Sequence, residues 1–208
     1  MKKTILYISL GVICTVALFL YADTVQSNIA NNVLRLHVLA NSDTEEDQAL
    51  KLKVRDRILR EGGTLFAACN SPEDTRRVFA ENQTRLRKAA MDEVQKEGYD
   101  YPVSVQIEKT FFPSRQYKNI ALPAGEYEAV RVEIGEAEGK NWWCVMFPPL
   151  CFVDGSVDQK QMDNLQEKLG SDYDILTPDG DLDVRIRFKL VDVLENTSHA
   201  IREALKNC

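Results

Sequence analysis

A chain of 208 residues with 44% hydrophobic and 28% charged residues has the makings of one folded domain plus a targeting segment. Ten glycines and seven prolines, with no repeat, exclude a fibrous or disordered chain. A formal charge of −6 opposes phosphate backbones and anionic headgroups, and no basic patch interleaves with aromatics, so nucleic acid is not an expected partner.

Met1-Lys2-Lys3 is a positive n-region, and Ile5 to Ala22 follows with no charge in eighteen residues. Such a length lies between a signal-peptide core of about 7–15 apolar residues and a spanning helix of about 20. The two lysines hold the N-terminus in the cytoplasm, so everything after Ala22 is expected outside. Ala22 suits the residue before a cleavage point, whereas Leu20 does not. Residues 1–22 are therefore expected to be a signal peptide or a signal anchor. Residues 23–32 are expected as a polar linker and 33–208 as a single extracytoplasmic domain.

Val33 to Leu39 alternates, with Leu34, Leu36 and Val38 on one face and Arg35 and His37 on the other, as in a strand. Ser42-Asp43-Thr44-Glu45 has the form of a capping box opening a helix. Leu50, Val54 and Ile58 form that helix's inner stripe, and Gly62-Gly63 is expected to end it. Ser71-Pro72-Glu73-Asp74 opens a second helix, with proline at the first helical position. Its apolar stripe is Val78, Phe79, Leu86, Ala89, Ala90 and Val94, and Gly98 stops it.

Three strands follow, over Val103 to Ile107, Val130 to Ile134 and Trp142 to Phe147, with Gly135 to Lys140 expected as a hairpin loop between the last two. A surface helix is expected near Val157 to Leu169. A further strand is expected over Leu182 to Leu190, where Val184, Ile186 and Phe188 alternate, and then a final amphipathic helix. This order predicts an α+β fold, a mostly antiparallel sheet with helices packed on one face, preceded by the apolar export or anchor segment.

Cys144 and Cys151 flank six residues containing Pro148-Pro149. Outside the cytoplasm they could form a disulfide; equally, they could be two buried thiols. Their spacing is not that of a zinc pair. Either cysteine with His37 would be a nucleophile and its base. No acid near His37 in sequence orients it, however, and both cysteines sit in an apolar run. Gly135 to Lys140 is one residue short of a phosphate loop and carries two acids. The acids at 43–47 lack the order of a calcium loop. No catalytic residue, cofactor, metal or small-molecule substrate is expected.

Thr110 to Gly125 is expected as a long connection carrying Phe111, Phe112, Arg115 and Tyr117. Long unstructured connections are often functional, and aromatics with arginine anchor protein interfaces. Phe112, Arg115 and Tyr117, with Trp142 and Trp143, are the candidate partner-binding residues. The tryptophans also suit a core.

Three blocks resemble the stage II sporulation protein R family. The first is Leu34 to Asp43 (LRLHVLANSD) with Asp47-Gln48, Leu50-Lys51 and Lys53 to Asp56. The second is Phe112-Pro113 with Tyr117 and then Leu122 to Val130 (LPAGEYEAV). The third is Gly139 to Phe152 (GKNWWCVMFPPLCF). The resemblance covers about residues 33–153, with weaker similarity at Val184 to Leu194. It implies a sporulation signal made in the forespore and exported into the space between forespore and mother cell. There it would activate a membrane-embedded, aspartic-type peptidase of the mother cell that removes the pro-sequence of sigma-E. On this reading the chain is an activator that binds its partner. A thiol-dependent extracytoplasmic enzyme and an envelope structural protein are the alternatives.

Overall fold

The computed structural model describes residues 2–66, 68–117, 120–148, 159–177 and 182–206. They form two compact units. One comprises residues 1–29, 111–125 and 169–208, and the other residues 30–110 and 126–168.

The larger unit is built on β1 (Leu34–Leu39), α2 (Glu45–Phe66), α3 (Pro72–Lys96), β2 (Val103–Phe112), β5 (Gly125–Ile134) and β6 (Asn141–Phe147), with α4 (Gln159–Leu169) following. The sheet order is β2-β5-β1-β6. β1 pairs with β5 in parallel, Leu36 opposite Val130, and with β6 antiparallel, Leu36 opposite Cys144. The expected α+β class with an apolar N-terminal segment is borne out, with a sheet of mixed direction.

The alternation of β1 suggests a strand with one wet face, yet all six of its residues are buried. Leu34, Leu36 and Val38 meet Val130 and Val132 of β5 and Cys144 and Met146 of β6 in one core. Leu50, Val54 and Ile58 of α2 and Phe79, Leu86, Ala90 and Val94 of α3 cover it. These are the stripes that the helical period assigns. Fully burying each aliphatic side chain contributes roughly 1.5–3 kcal/mol.

Ser71 caps α3, its Oγ accepting from the Asp74 amide at 3.1 Å, with Pro72 at the first turn and Gly98 beyond the end at φ 86°. The start of α2 differs from expectation. Thr44, not Ser42, is the cap, its Oγ1 accepting from the Asp47 amide at 3.3 Å. The Ser42 hydroxyl instead donates to the Asp47 carboxylate at 2.6 Å, so the motif closes two residues later. Nor do Gly62 and Gly63 end α2. The helix continues to Phe66, whose burial in the core outweighs a glycine cost of about 1 kcal/mol each.

Gly135 to Lys140 does not close a hairpin. β1 lies between β5 and β6, so the loop spans two strand spacings, roughly 9–10 Å, across the end of β1. The reason is the buried β1, which takes both neighbours as a central strand must.

The smaller unit holds the packed end of α1 (Lys2–Asn31), the hairpin β3 (Arg115–Tyr117) and β4 (Ile120–Leu122), a 3-10 turn over Gly170–Leu176, and α5 (Leu182–Lys206). Residues 23–31, expected as a linker, continue α1. They contain no proline or glycine, and Ala22, Val25 and Ile29 share a buried helical face. The expected strand over Leu182 to Leu190 is also corrected, since this segment is the start of α5. Its alternation overlies a helical period. Phe188, Val191, Asp192 and Glu195 are buried at three- and four-residue spacing, while Ile186 is exposed.

Candidate interaction surfaces

On the face of the sheet opposite α2 and α3, β1 places Arg35 and His37. Register sets His37 beside Arg131 of β5 and Trp143 of β6. The His37 ring stacks on Trp143 with centroids 4.0 Å apart and an interplanar angle of 17°. Its Nε2 lies 2.6 Å from Asn141 Oδ1. Burial lowers the His37 pKa to about 4, with Arg131 and Arg35 adding to the fall, so the ring is neutral at pH 7. Arg131 bridges two carboxylates, Glu108 at 2.5 Å and Glu133 at 2.8 Å. The Arg35 guanidinium lies 4.8 Å over the Tyr127 ring, and its Nε donates to the Cys144 carbonyl at 3.4 Å. Arg35, His37 and Tyr127 are buried in this layer, while Glu108, Arg131, Glu133 and Trp143 are half-buried.

The two tryptophans do not form one patch. Consecutive strand residues point to opposite faces. Trp142 lies opposite Val38 and packs against the core, capped by the Arg55 guanidinium 4.2 Å from its ring. Trp143 is half-buried on the other face.

Cys144 lies opposite Leu36 on the core face and is disulfide-bonded. Cys151 lies outside the described residues, and so does the expected Cys144–Cys151 pairing. Cys69 and Cys14 are free. Among the described residues no group of three or more His, Cys, Asp or Glu could hold a metal ion.

The Gly135 to Lys140 loop shows why it resembles a phosphate loop without being one. Four of its six amides are already taken by the residues that follow β1, and those of Gly135 and Ala137 by the Pro102 and Ile134 carbonyls. Glu136 N donates to Asn41 Oδ1 at 3.0 Å, Glu138 N to Asn41 O at 3.2 Å, Gly139 N to Ala40 O at 3.0 Å and Lys140 N to Asp43 Oδ1 at 2.6 Å. The Lys51 ammonium donates to the Lys140 carbonyl at 2.7 Å. A Cβ on Gly139 would lie 2.2 Å from the Ser42 carbonyl oxygen, and Gly135 has φ 62°. The blocks that are most distinctive in sequence therefore meet around the C-terminal end of β1. Linear spacing could not show this, because a strand insertion brings them together.

In the smaller unit the connection 110–125 is not a structureless loop. Arg115 pairs with Leu122 and Tyr117 with Ile120. Three-residue strands are too short to show a period in sequence. Arg115 and Gln116 are exposed and Tyr117 is half-buried. Phe112 is fully buried, so it supports the hairpin from inside. Both stems are fastened to α5. The Phe111 ring stacks on His199 at 3.7 Å, and Ala124 N donates to Asp192 Oδ1 at 3.1 Å. Sequence reading missed His199 and Asp192, since no pattern signals a stacking or capping role at that distance along the chain.

Residues 30–157 match the profile of the family described as Stage II sporulation protein R. Stage II sporulation protein R of Bacillus subtilis (strain 168) is 42% identical over 128 residues, 62% of this chain and 57% of that protein. The match thus spans little more than half the length of that relative. No solved structure matches the chain.

Proposed function

The chain belongs to the stage II sporulation protein R family, and on that premise we propose that it is an exported activator of a membrane-embedded, aspartic-type peptidase that processes pro-sigma-E. The observation that carries this reading is the matched segment itself. Residues 30–157 contain all four strands of the mixed sheet and both helices that cover it, so likeness extends to the whole sheet and its helical cover.

Three features support the role. α1 is long and apolar enough to cross a membrane, and Lys2 and Lys3 favour a cytoplasmic N-terminus. The folded part would then project into the space between forespore and mother cell. The fastened β3–β4 hairpin offers Arg115 and Tyr117, and the sheet offers Trp143. Phe112 and Trp142 hold these surfaces from within. An activator of this kind acts by differential affinity, shifting the peptidase only as far as it prefers the active conformation.

Co-expression with the candidate peptidase and pro-sigma-E in a non-sporulating host tests the proposal. Removal of the pro-sequence only when this chain is present is the expected result. Equal processing without it would remove the activator role and leave an envelope structural protein as the better reading.

A further inference from the structure

α5 carries two apolar sides. One is buried through Phe188 and Val191. The other runs along Ile186, Leu190, Val193, Thr197, Ile201 and Leu205, which recur at three- to four-residue spacing on the opposite side. Ile186 and Val193 are each 57% exposed, Ile201 53% and Leu205 71%. An exposed apolar stripe along most of a 25-residue helix marks an interaction site. It lies beyond residues 30–157, outside the segment that matches the family.

The compact unit that holds α5 also holds α1, and α1 leaves no slack. Residues 3–21 are all exposed. At 1.5 Å per residue they measure about 28 Å, against a hydrocarbon core of about 30 Å. Packing begins at the very next residue, where Ala22 is fully buried, and continues through Val25 and Ile29. With residues 3–21 filling a bilayer, this unit starts at the headgroups.

Charge selects the same neighbour. Among the described residues of α5 that are not buried, Arg187 and Lys189 flank the outer stripe with no acid beside them, whereas Arg202, Glu203 and Lys206 lie round toward the other side of the helix. The chain as a whole is acidic, but screening limits each charge to about 10 Å, so a basic helix acts locally.

We propose that α5 lies on an anionic phospholipid surface, its outer stripe at the boundary of headgroups and acyl chains and Arg187 and Lys189 against the phosphates. The inference rests on the reading of α1 as a membrane helix. The chain would then hold its membrane twice, by a spanning helix and by a helix lying flat.

The test uses the full-length protein reconstituted in vesicles of phosphatidylglycerol and phosphatidylcholine, and in phosphatidylcholine alone. A photoreactive phenylalanine analogue is placed at Val193, at Leu10 in α1, or at exposed Glu81 in α3, with Ile201 as a second α5 position. Lipid adducts are expected at Leu10, Val193 and Ile201 and not at Glu81. Those on α5 should fall at least twofold without phosphatidylglycerol. Adducts at Leu10 with none on α5, equal α5 labelling in both vesicles, or α5 crosslinked to a second copy of the chain would each overturn the proposal. No adduct at Leu10 either would remove the membrane reading, and this inference with it.

Discussion

His37 and Cys144 sit on adjacent strands and project from opposite faces of the same sheet. Cys144 shares the core face with Leu36, while His37 shares the other with Trp143 and Asn141. A nucleophile and its base must be within hydrogen-bond reach, and a sheet separates these two. Cys144 is moreover held in a disulfide and offers no thiolate. The couple of His37 with Cys144 is therefore taken apart by strand parity, while a couple with Cys151 lies outside the described residues.

His37 makes stability depend on pH. Its folded pKa of about 4 lies below the ordinary 6.5, so the unfolded chain binds the extra proton between those values. Stability is full above about pH 6.5 and falls as pH drops toward 4, by about 3 kcal/mol at pH 4. Urea unfolding midpoints across this window should show the fall, and His37→Gln should flatten it relative to the parent.

Gly139 and Gly135 hold the loop that crosses β1. Gly139→Ala sets a methyl against the Ser42 carbonyl and should destabilise by about 2–4 kcal/mol. Gly135→Ala adds a left-handed φ to a clash with Asn41. Gly98→Ala is the control. Its φ is also positive, but nothing lies within 4 Å, and it should cost only about 1–2 kcal/mol. Denaturant midpoints rank the three variants.

In the hairpin, support and contact should separate. Arg115→Ala with Tyr117→Ala should abolish sigma-factor processing and leave the denaturant midpoint nearly unchanged, because Arg115 is exposed and Tyr117 only half-buried. Phe112→Ala should cost about 3–5 kcal/mol, since it empties a fully buried site. Processing by a folded Arg115→Ala, Tyr117→Ala protein at the parental level would take the hairpin out of the contact surface.

Cys151 is the expected partner of Cys144. Non-reducing peptide mapping by mass spectrometry should find the two joined. Closing so short a loop contributes about 2–3 kcal/mol, so Cys144→Ser and Cys151→Ser should lower Tm alike, by about 5–10 °C. A Cys144–Cys208 peptide would reassign the bridge.

Sequence patterns carried the elements whose signals are local. Ser71-Pro72 marks the start of α3, and the stripes of α2 and α3 name the core. Pairing across distance was illegible. Nothing around Gly135 says that β1 will enter between β5 and β6. Trp142 and Trp143 read as a unit until their alternation is placed on a sheet with a covered side. Leu182 to Leu190 failed for another reason: three alternating apolar residues are too short a run to tell period two from period 3.6, and Ile186, exposed beside buried Phe188, follows the helix.

The place of β1 has a consequence for how the chain matures. The strand at the middle of the sheet is the first to leave the ribosome, and its two hydrogen-bonding neighbours arrive some ninety and a hundred residues later, at β5 and β6. Until then Leu34, Leu36 and Val38 have no sheet to join. The sheet of the larger unit therefore closes only after synthesis has passed Phe147, and pairing over such a distance is intrinsically slow.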